Sequence, residues 1–530
     1  MTGAEEDLQA TARKVFQRVA DRTASHTLCH PVARLAAEWA RKLGEPMRVA
    51  VAGEIKRGKS TLVNALVAAD AALTATDEAQ DRAVATGQLE TTYVLTELVH
   101  GTPPGICVRY RDGKEAMAPL GDLRALTVRR DQDGDRTLDA IDRVVVTIDA
   151  PALRQFRLID TPGFNSVYGT DAAAALRVLT AGEINDADAV IYTIGIEGLS
   201  RISRDIARQF VGRGQVMTPL KAIGVMPRAN DVWSTLLWKA RAGGEVDTDP
   251  LRHMRHEIDA MPRAGGRELF HAIVPVAALL GEAAALASDD DLAALNDLAR
   301  VDPADLADSF TAQSDNRMFA SRPDFPLDTC TRQRLVRTFS PWGLFTAVEA
   351  VRSRPSIPEL RRVLDERSGV AGLRALICNH FGGRAGAVRV RDALGDLTAL
   401  NLRTMRLSAG DDQVTLERVG REMEAFKLAH DVMFLQIEVL GRFYRRELSL
   451  DPGQTDDLLR LTGERGGGLA ARLGLPAGAS PGELQQAAVA AAHRWASPAA
   501  TGGNASGAEE LKRILDAIQV QLGDLATGRS

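Results

Sequence analysis

The chain has little cysteine, no excess of basic charge and no long apolar run. Its four cysteines, Cys29, Cys107, Cys330 and Cys378, are scattered through 530 residues without CxxC or related spacing. That argues against a zinc site and a disulfide framework, and it fits a reducing compartment. The most apolar long stretch, Phe270 to Ala287, is interrupted by His271, Pro275 and Glu282, so no transmembrane helix is expected. The first residues, MTGAEEDLQATARKVF, carry early acids and no apolar core, unlike a secretory signal. A net charge of −5 without a basic stripe argues against a nucleic-acid partner. The expected place is the cytoplasm, with any membrane contact peripheral.

What is present is the composition of an ordinary globular protein, 45% hydrophobic and 25% charged. The length exceeds one core, so two to four domains are expected. Arg and Ala are abundant and favour helix. Residues 1–45 read as helix, with Leu8, Ala12, Val15 and Val19, then Val32, Leu35, Ala36 and Trp39, at three-to-four spacing. From Met47 apolar strand segments (47–52, 93–100, 144–148, 157–159, 189–194, 222–226 and 272–276) alternate with helical ones, which predicts a mostly parallel sheet. Residues 286–335 are polar and rich in Asp, and read as a linker or irregular insert. Beyond them the pattern is helical over 342–352, 357–383, 385–410, 415–448, 481–495 and 507–526.

The chemistry begins at Gly53-Glu54-Ile55-Lys56-Arg57-Gly58-Lys59-Ser60, a G-x-x-x-x-G-K-S motif between an apolar strand and an apolar helix. That setting is the one its mechanism needs, because loop amides and a helix N-terminus together hold phosphate. Lys59 is placed to reach the β and γ phosphates and Ser60 to ligate Mg²⁺, with Thr61 closing the nucleotide-binding set. A plain glycine turn is the alternative. A second strand ends in Asp160-Thr161-Pro162-Gly163, a D-x-x-G in which Asp160 would hold Mg²⁺ through water and the Gly163 amide would meet the γ phosphate. Thr91 and Thr92 precede a further strand. Thr92 is the preferred switch threonine, with Thr91 in reserve, and simple β-formers are the alternative for both.

Together G-E-I-K-R-G-K-S-T, T-T-Y-V-L-T, D-T-P-G, "ADAVIYTI" and "AIVPVAALLGEA" resemble the bacterial dynamin-like GTPases, large GTPases of the dynamin superfamily. The segments "WGLFTAVEAVR" and "LRALICNHFGGRA" look like the actinobacterial branch. The resemblance implies an α/β P-loop GTPase domain over 46–285, mostly parallel with helices on both faces, and an α-helical bundle stalk over 336–530 against which 1–45 packs. It also implies GTP/GDP and Mg²⁺ as ligands, G-domain pairing with itself or a paralogue, and membrane remodelling from the inner face of the cell membrane.

The chain departs from that family in two places. A base-reading T/N-K-x-D would fall on Pro227, Arg228 and Asn230. Asn offers guanine one acceptor and one donor where a carboxylate offers two acceptors. Either guanine selectivity is weakened, or Asp231 takes over after a one-residue shift; Asn230-Asp231 as a simple helix cap is a third reading. In the phosphate loop, Ile55 cannot orient water. Lys56 and Arg57 could act as an internal cation on developing phosphate charge, contact a partner G domain, or lie solvated. His430–Leu448 mixes apolar residues with Arg442, Arg445 and Arg446 and is a candidate lipid-contact helix, with a bundle core as the alternative. Ser340–Phe345 is a second candidate, or a hinge. A weakly hydrolysing partner subunit and a regulatory GTPase away from membranes remain alternatives to the dynamin-like enzyme.

Overall fold

Strand β1, Met47–Gly53, is buried along almost its whole length. That is why its sequence, MRVAVAG, is apolar at nearly every position rather than alternating: a parallel strand in mid-sheet is covered on both faces. The computed structural model describes residues 3–54, 56–68, 94–128, 136–162, 187–199, 219–244, 246–261, 269–310, 317–382, 385–445, 447–448, 450–466, 468–496, 513–514 and 516–518. In chain order the further strands are β2 (Leu95–His100), β3 (Gly105–Tyr110), β4 (Glu115–Ala118), β5 (Ile141–Ile148), β6 (Phe156–Asp160), β7 (Ala189–Thr193), β8 (Ala222–Met226) and β9 (Ile273–Pro275). Among the described residues they form one sheet of order β4-β3-β5-β2-β6-β1-β7-β8-β9.

The run β6-β1-β7-β8-β9 is parallel throughout. Register sets Asp160 beside Val51 and Thr193 beside Gly53. The carboxyl ends of four neighbouring strands therefore meet at one edge, where an open α/β sheet binds its ligand. Beyond β6 the sheet is mixed, because β2 runs antiparallel to β6 and the β3–β4 hairpin is antiparallel to β5. Among the described residues five of the eight strand pairings are parallel, β2–β5 included, so the expectation of a mostly parallel sheet holds, with antiparallel pairing at β2–β6 and at the β3–β4 hairpin. The hairpin closes over Asp112-Gly113, with Gly113 at φ +85°.

The chain forms two compact units, Met47–Ile377 on one hand and Met1–Pro46 with Cys378–Ser530 on the other. The first unit thus runs past residue 285 and takes in the expected linker. Its described residues hold the helices Asp289–Leu298, Pro303–Asp308, Arg317–Ser321 and Thr329–Phe339. Several of the acids that make this stretch look like a solvated linker serve helix caps. Asp302 Oδ1 accepts from the Ala304 amide at 2.8 Å, Asp328 Oδ1 accepts from the Thr331 amide at 3.0 Å, and Ser288 with Asp291 forms a capping box. Between the caps Leu295, Leu298, Leu306, Phe310, Phe319, Leu335 and Phe339 are buried in the same core as Trp233 and Leu280. The helix Pro341–Val351 buries Trp342 and Leu344 there too, so Ser340–Phe345 is an interior packing segment of this unit and offers no lipid face.

The second unit is helical. Gly3–Thr23 and His30–Lys42 pack on each other and on Ala385–Met405, and Arg18 and Arg22 both pair with Glu422 of Asp411–Ala429, at 2.8 and 2.7 Å. The long helices read at 385–410 and 415–448 are each interrupted, the first before Gly410 (φ +62°) and the second at His430. In Asp431–Tyr444 the residues Phe434, Leu435, Ile437, Val439 and Leu440 are buried, so the apolar stripe of His430–Leu448 is bundle core and not a lipid face. Among the described residues no helix is long and apolar enough to cross a membrane.

Candidate nucleotide site

The phosphate loop leaves β1 at Gly53, whose φ is +145°. A Cβ there would lie 2.1 Å from Thr193 Oγ1 and 2.7 Å from the Thr193 carbonyl, so only glycine fits against β7. The loop then turns through Lys56 (φ +59°) and Gly58 (φ +82°) and enters the helix Lys59–Ala68. Lys59 is 8% exposed, and its Nζ donates to the Glu54 carbonyl at 2.8 Å. Burial pushes the Lys59 ammonium down to about 8, against the opposing pull of the Asp160 and Glu54 carboxylates. A buried cation thus waits at the centre of the loop.

Ser60 Oγ donates to Asp160 Oδ2 at 2.7 Å. The register of β1 and β6 produces this contact. Thr161 strengthens it by giving both its amide (3.3 Å) and its hydroxyl (2.8 Å) to the Val51 carbonyl. Ser60 and Asp160 supply hard oxygen donors side by side, next to a buried ammonium. That donor set suits Mg²⁺, which takes few protein ligands and keeps waters and substrate phosphates for the rest. Ile55, Thr91, Thr92 and Gly163 lie outside the described residues; Thr61 sits half-buried in the first turn of the helix.

Arg57 is engaged within its own chain. Its Nε and Nη2 donate to Glu54 Oε2 at 3.1 and 2.9 Å, and Nη2 also pairs with Glu197. Glu197 sits in the tight Gly195–Gly198 turn that follows β7. Burial works against the guanidinium charge, but the two carboxylates outweigh it and hold the Arg57 pKa above its ordinary value. Lys56 is exposed. Sequence reasoning singled out Arg57 and missed Glu197, because nothing in the Glu of Gly195-Ile196-Glu197-Gly198 announces a partner on another loop.

The base-loop candidates separate. Pro227–Asp231 follows β8 and lies against the phosphate loop, where a Cβ on Gly58 would be 3.2 Å from Pro227 Cβ and 3.7 Å from Arg228 Cγ. The loop is tied to the start of the helix Ala278–Leu286 by the Ala229 amide to the Val276 carbonyl (3.2 Å) and the Ala278 amide to the Pro227 carbonyl (2.9 Å). Arg228 Nη2 pairs with Asp231 Oδ2 at 2.7 Å, and both side chains reach solvent. Burial raises the Asp231 carboxyl while Arg228 pulls it back. Asn230 is 6% exposed and turns inward, its Nδ2 donating to Ser340 Oγ at 3.0 Å.

Residues 49–209 match the Dynamin family. The chain is 26% identical to the isoniazid-induced protein IniC of Mycobacterium tuberculosis, over 86% of this chain and 85% of IniC. Among solved structures it is similar to a chain of an oligomerised bacterial dynamin pair described as sensing and tethering membranes at long range. That pair is 11% identical, covers 94% of this chain and 88% of its own, and has a TM-score of 0.28. The LeoA bacterial dynamin GTPase from ETEC is 10% identical, with coverage of 100% and 96% and a TM-score of 0.23. Residues 49–209 are therefore identified as a dynamin-family domain.

Proposed function

We propose that the chain binds GTP with Mg²⁺ at this loop, hydrolyses it to GDP and phosphate, and pairs through its G domain with a second copy or a paralogue. In this reading it works peripherally at the inner face of the cell membrane, which it remodels. The observation that carries the nucleotide reading is the Ser60–Asp160 contact beside the buried Lys59. Lys59 offsets charge on the β and γ phosphates, Ser60 and Asp160 hold the metal, and Arg228 covers the base with its aliphatic stem. Asp231, one position past the usual place, accepts from guanine. Thr92 and Gly163 complete the γ-phosphate side. The membrane and pairing readings rest on the family resemblance.

The test is steady-state hydrolysis of GTP, ATP and XTP, with and without liposomes. Turnover of GTP is expected, at a rate that rises with protein concentration as G domains pair. A chain that hydrolyses no GTP under any condition is not the enzyme proposed. Co-sedimentation with liposomes is expected in at least one nucleotide state, and recovery wholly in the supernatant in all of them counts against membrane action.

A second reading, a slow hydrolase serving as partner of an active sister protein, is favoured by the engagement of Arg57. In that reading Arg57 must leave Glu197 to act on phosphate. Partly exposed ion pairs are worth about 0.2–1 kcal/mol, so Glu197→Gln is expected to raise GTP turnover by up to about fivefold. The same substitution in an Arg57→Ala background should change nothing; an equal rise there would remove Arg57 from the explanation.

A further inference from the structure

We propose that Asn230 is a positioning residue for guanine recognition: its amide anchors the base loop to Ser340, and this anchoring is what presents the neighbouring Asp231 to the base. The inference rests on the GTP reading above and explains how the shifted motif works.

Three observations carry it. Asn230 is buried and its Nδ2 lies 3.0 Å from Ser340 Oγ, whereas Arg228 and Asp231 pair at the surface on the side where Arg228 meets Gly58. The hydroxyl at the far end is fixed. Ser340 has φ +64°, a conformation L-residues seldom hold, and it caps the helix Pro341–Val351 by accepting from the Gly343 amide at 3.3 Å. That helix start cannot yield easily, since a Cβ on Gly343 would sit 3.2 Å from both Leu280 Cδ1 and Ser340 Oγ. The anchor therefore stands on packed core, and a second contact, Trp233 against Phe345 with ring centroids 5.2 Å apart, holds the same loop to the same helix.

The chemistry also accounts for the residue type. Ser340 Oγ receives an N–H from Gly343 and another from position 230. A carboxylate at 230 could meet Ser340 only by accepting its O–H and would bury a charge in this packed site, so an amide is the less costly anchor. Once an amide occupies the usual position of the base-reading carboxylate, the carboxylate has to come from the next residue, and Asp231 is there.

The experiment is equilibrium titration of the full chain with fluorescent GTP, XTP and ATP analogues. Asp231→Asn is expected to shift preference from GTP toward XTP by about tenfold or more, because an amide donor meets the extra carbonyl of xanthine. Asn230→Ala and Ser340→Gly (glycine suits φ +64°) should each lower the preference for GTP over ATP by about tenfold, leaving ATP affinity within twofold. The double variant should lose no more guanine preference than the larger of the two single losses, since either substitution already removes the Asn230–Ser340 contact. A general loss of folding would weaken all three nucleotides alike and leave the ratios unmoved. Asn230→Asp should bring no gain in guanine preference. A gain in guanine preference with Asn230→Asp, additive losses in the double variant, or an unshifted preference in Asp231→Asn overturns the inference. A wild-type chain that binds no guanine nucleotide removes the GTP reading itself. One that binds GTP while these variants are silent removes only the anchoring role.

Discussion

Replacement of Lys59 by Ala is expected to cut GTP affinity by about 10- to 100-fold, since a buried hydrogen bond to a charged partner is worth about 1.5–3 kcal/mol. The sharper expectation is in pH. With its folded pKa near 8 against an ordinary 10.5, the empty-loop lysine has lost its proton over much of the range between those values. Bound phosphate restores the charge, so binding above pH 8 must take up a proton. GTP affinity should therefore fall as pH rises past 8, approaching tenfold per pH unit, and Lys59→Ala should show no such decline. Stability runs the opposite way. Between pH 8 and 10.5 the unfolded chain holds more protons at this site than the folded chain, so the empty protein gains stability with rising pH through that window. Below pH 8 the buried charge costs its full amount, about 3 kcal/mol for this shift. Lys59→Met should consequently raise the thermal midpoint of the empty protein at pH 7 while removing its affinity for GTP. Calorimetric titration in buffers of different ionisation enthalpy would read the proton uptake directly. An affinity profile that is flat from pH 8 to 10 would mean that Lys59 stays charged in the empty loop.

The contrast between what the residues announce and what they conceal has a physical pattern. The central strands are legible because burial on both faces writes an unbroken apolar run, as in Ala222–Met226, whose ends the pattern fixes exactly as observed. The glycine turn after β1 is legible because its glycines answer to local backbone geometry, and the place of Asp160 because it closes a buried strand. Hidden features depend on contacts between distant positions. Whether Asn230 faces the ligand or the core is decided by Ser340, far along the chain. Arg57 is engaged by Glu197 on a different loop. Aspartates are ambiguous in another way: Asp302 and Asp328 carry the composition of a linker, yet each begins a helix. Interrupted helices such as Asp411–Ala429 and Asp431–Tyr444 share one periodicity across the break, which is why the stripe reads as continuous.

Phe319→Ala is expected to destabilise the Met47–Ile377 unit by about 3–5 kcal/mol, the usual cost of emptying a buried aromatic site. Phe319 has no exposed surface. Its ring stacks on Phe310 with centroids 4.8 Å apart and meets Phe325 edge-on at 5.9 Å. Phe310 in turn lies 5.9 Å from Trp233. Pairs of this kind add about 0.5–1.5 kcal/mol each beyond the area they bury. If residues 286–335 were a solvated linker, the same substitution would fall within about 0.5 kcal/mol of neutral. The denaturant midpoint separates the two cases, provided the slope of the transition is unchanged. The effect should also reach the nucleotide. Trp233 opens the helix that follows Asp231, so the aromatic row braces the base loop from behind. GTP affinity in Phe319→Ala should therefore weaken at temperatures below the unfolding transition, and more than affinity for ATP, because the phosphate loop rests on β1 and β7 rather than on this row. An equal loss for both nucleotides would place the row in the general stability of the domain and not in support of the base loop.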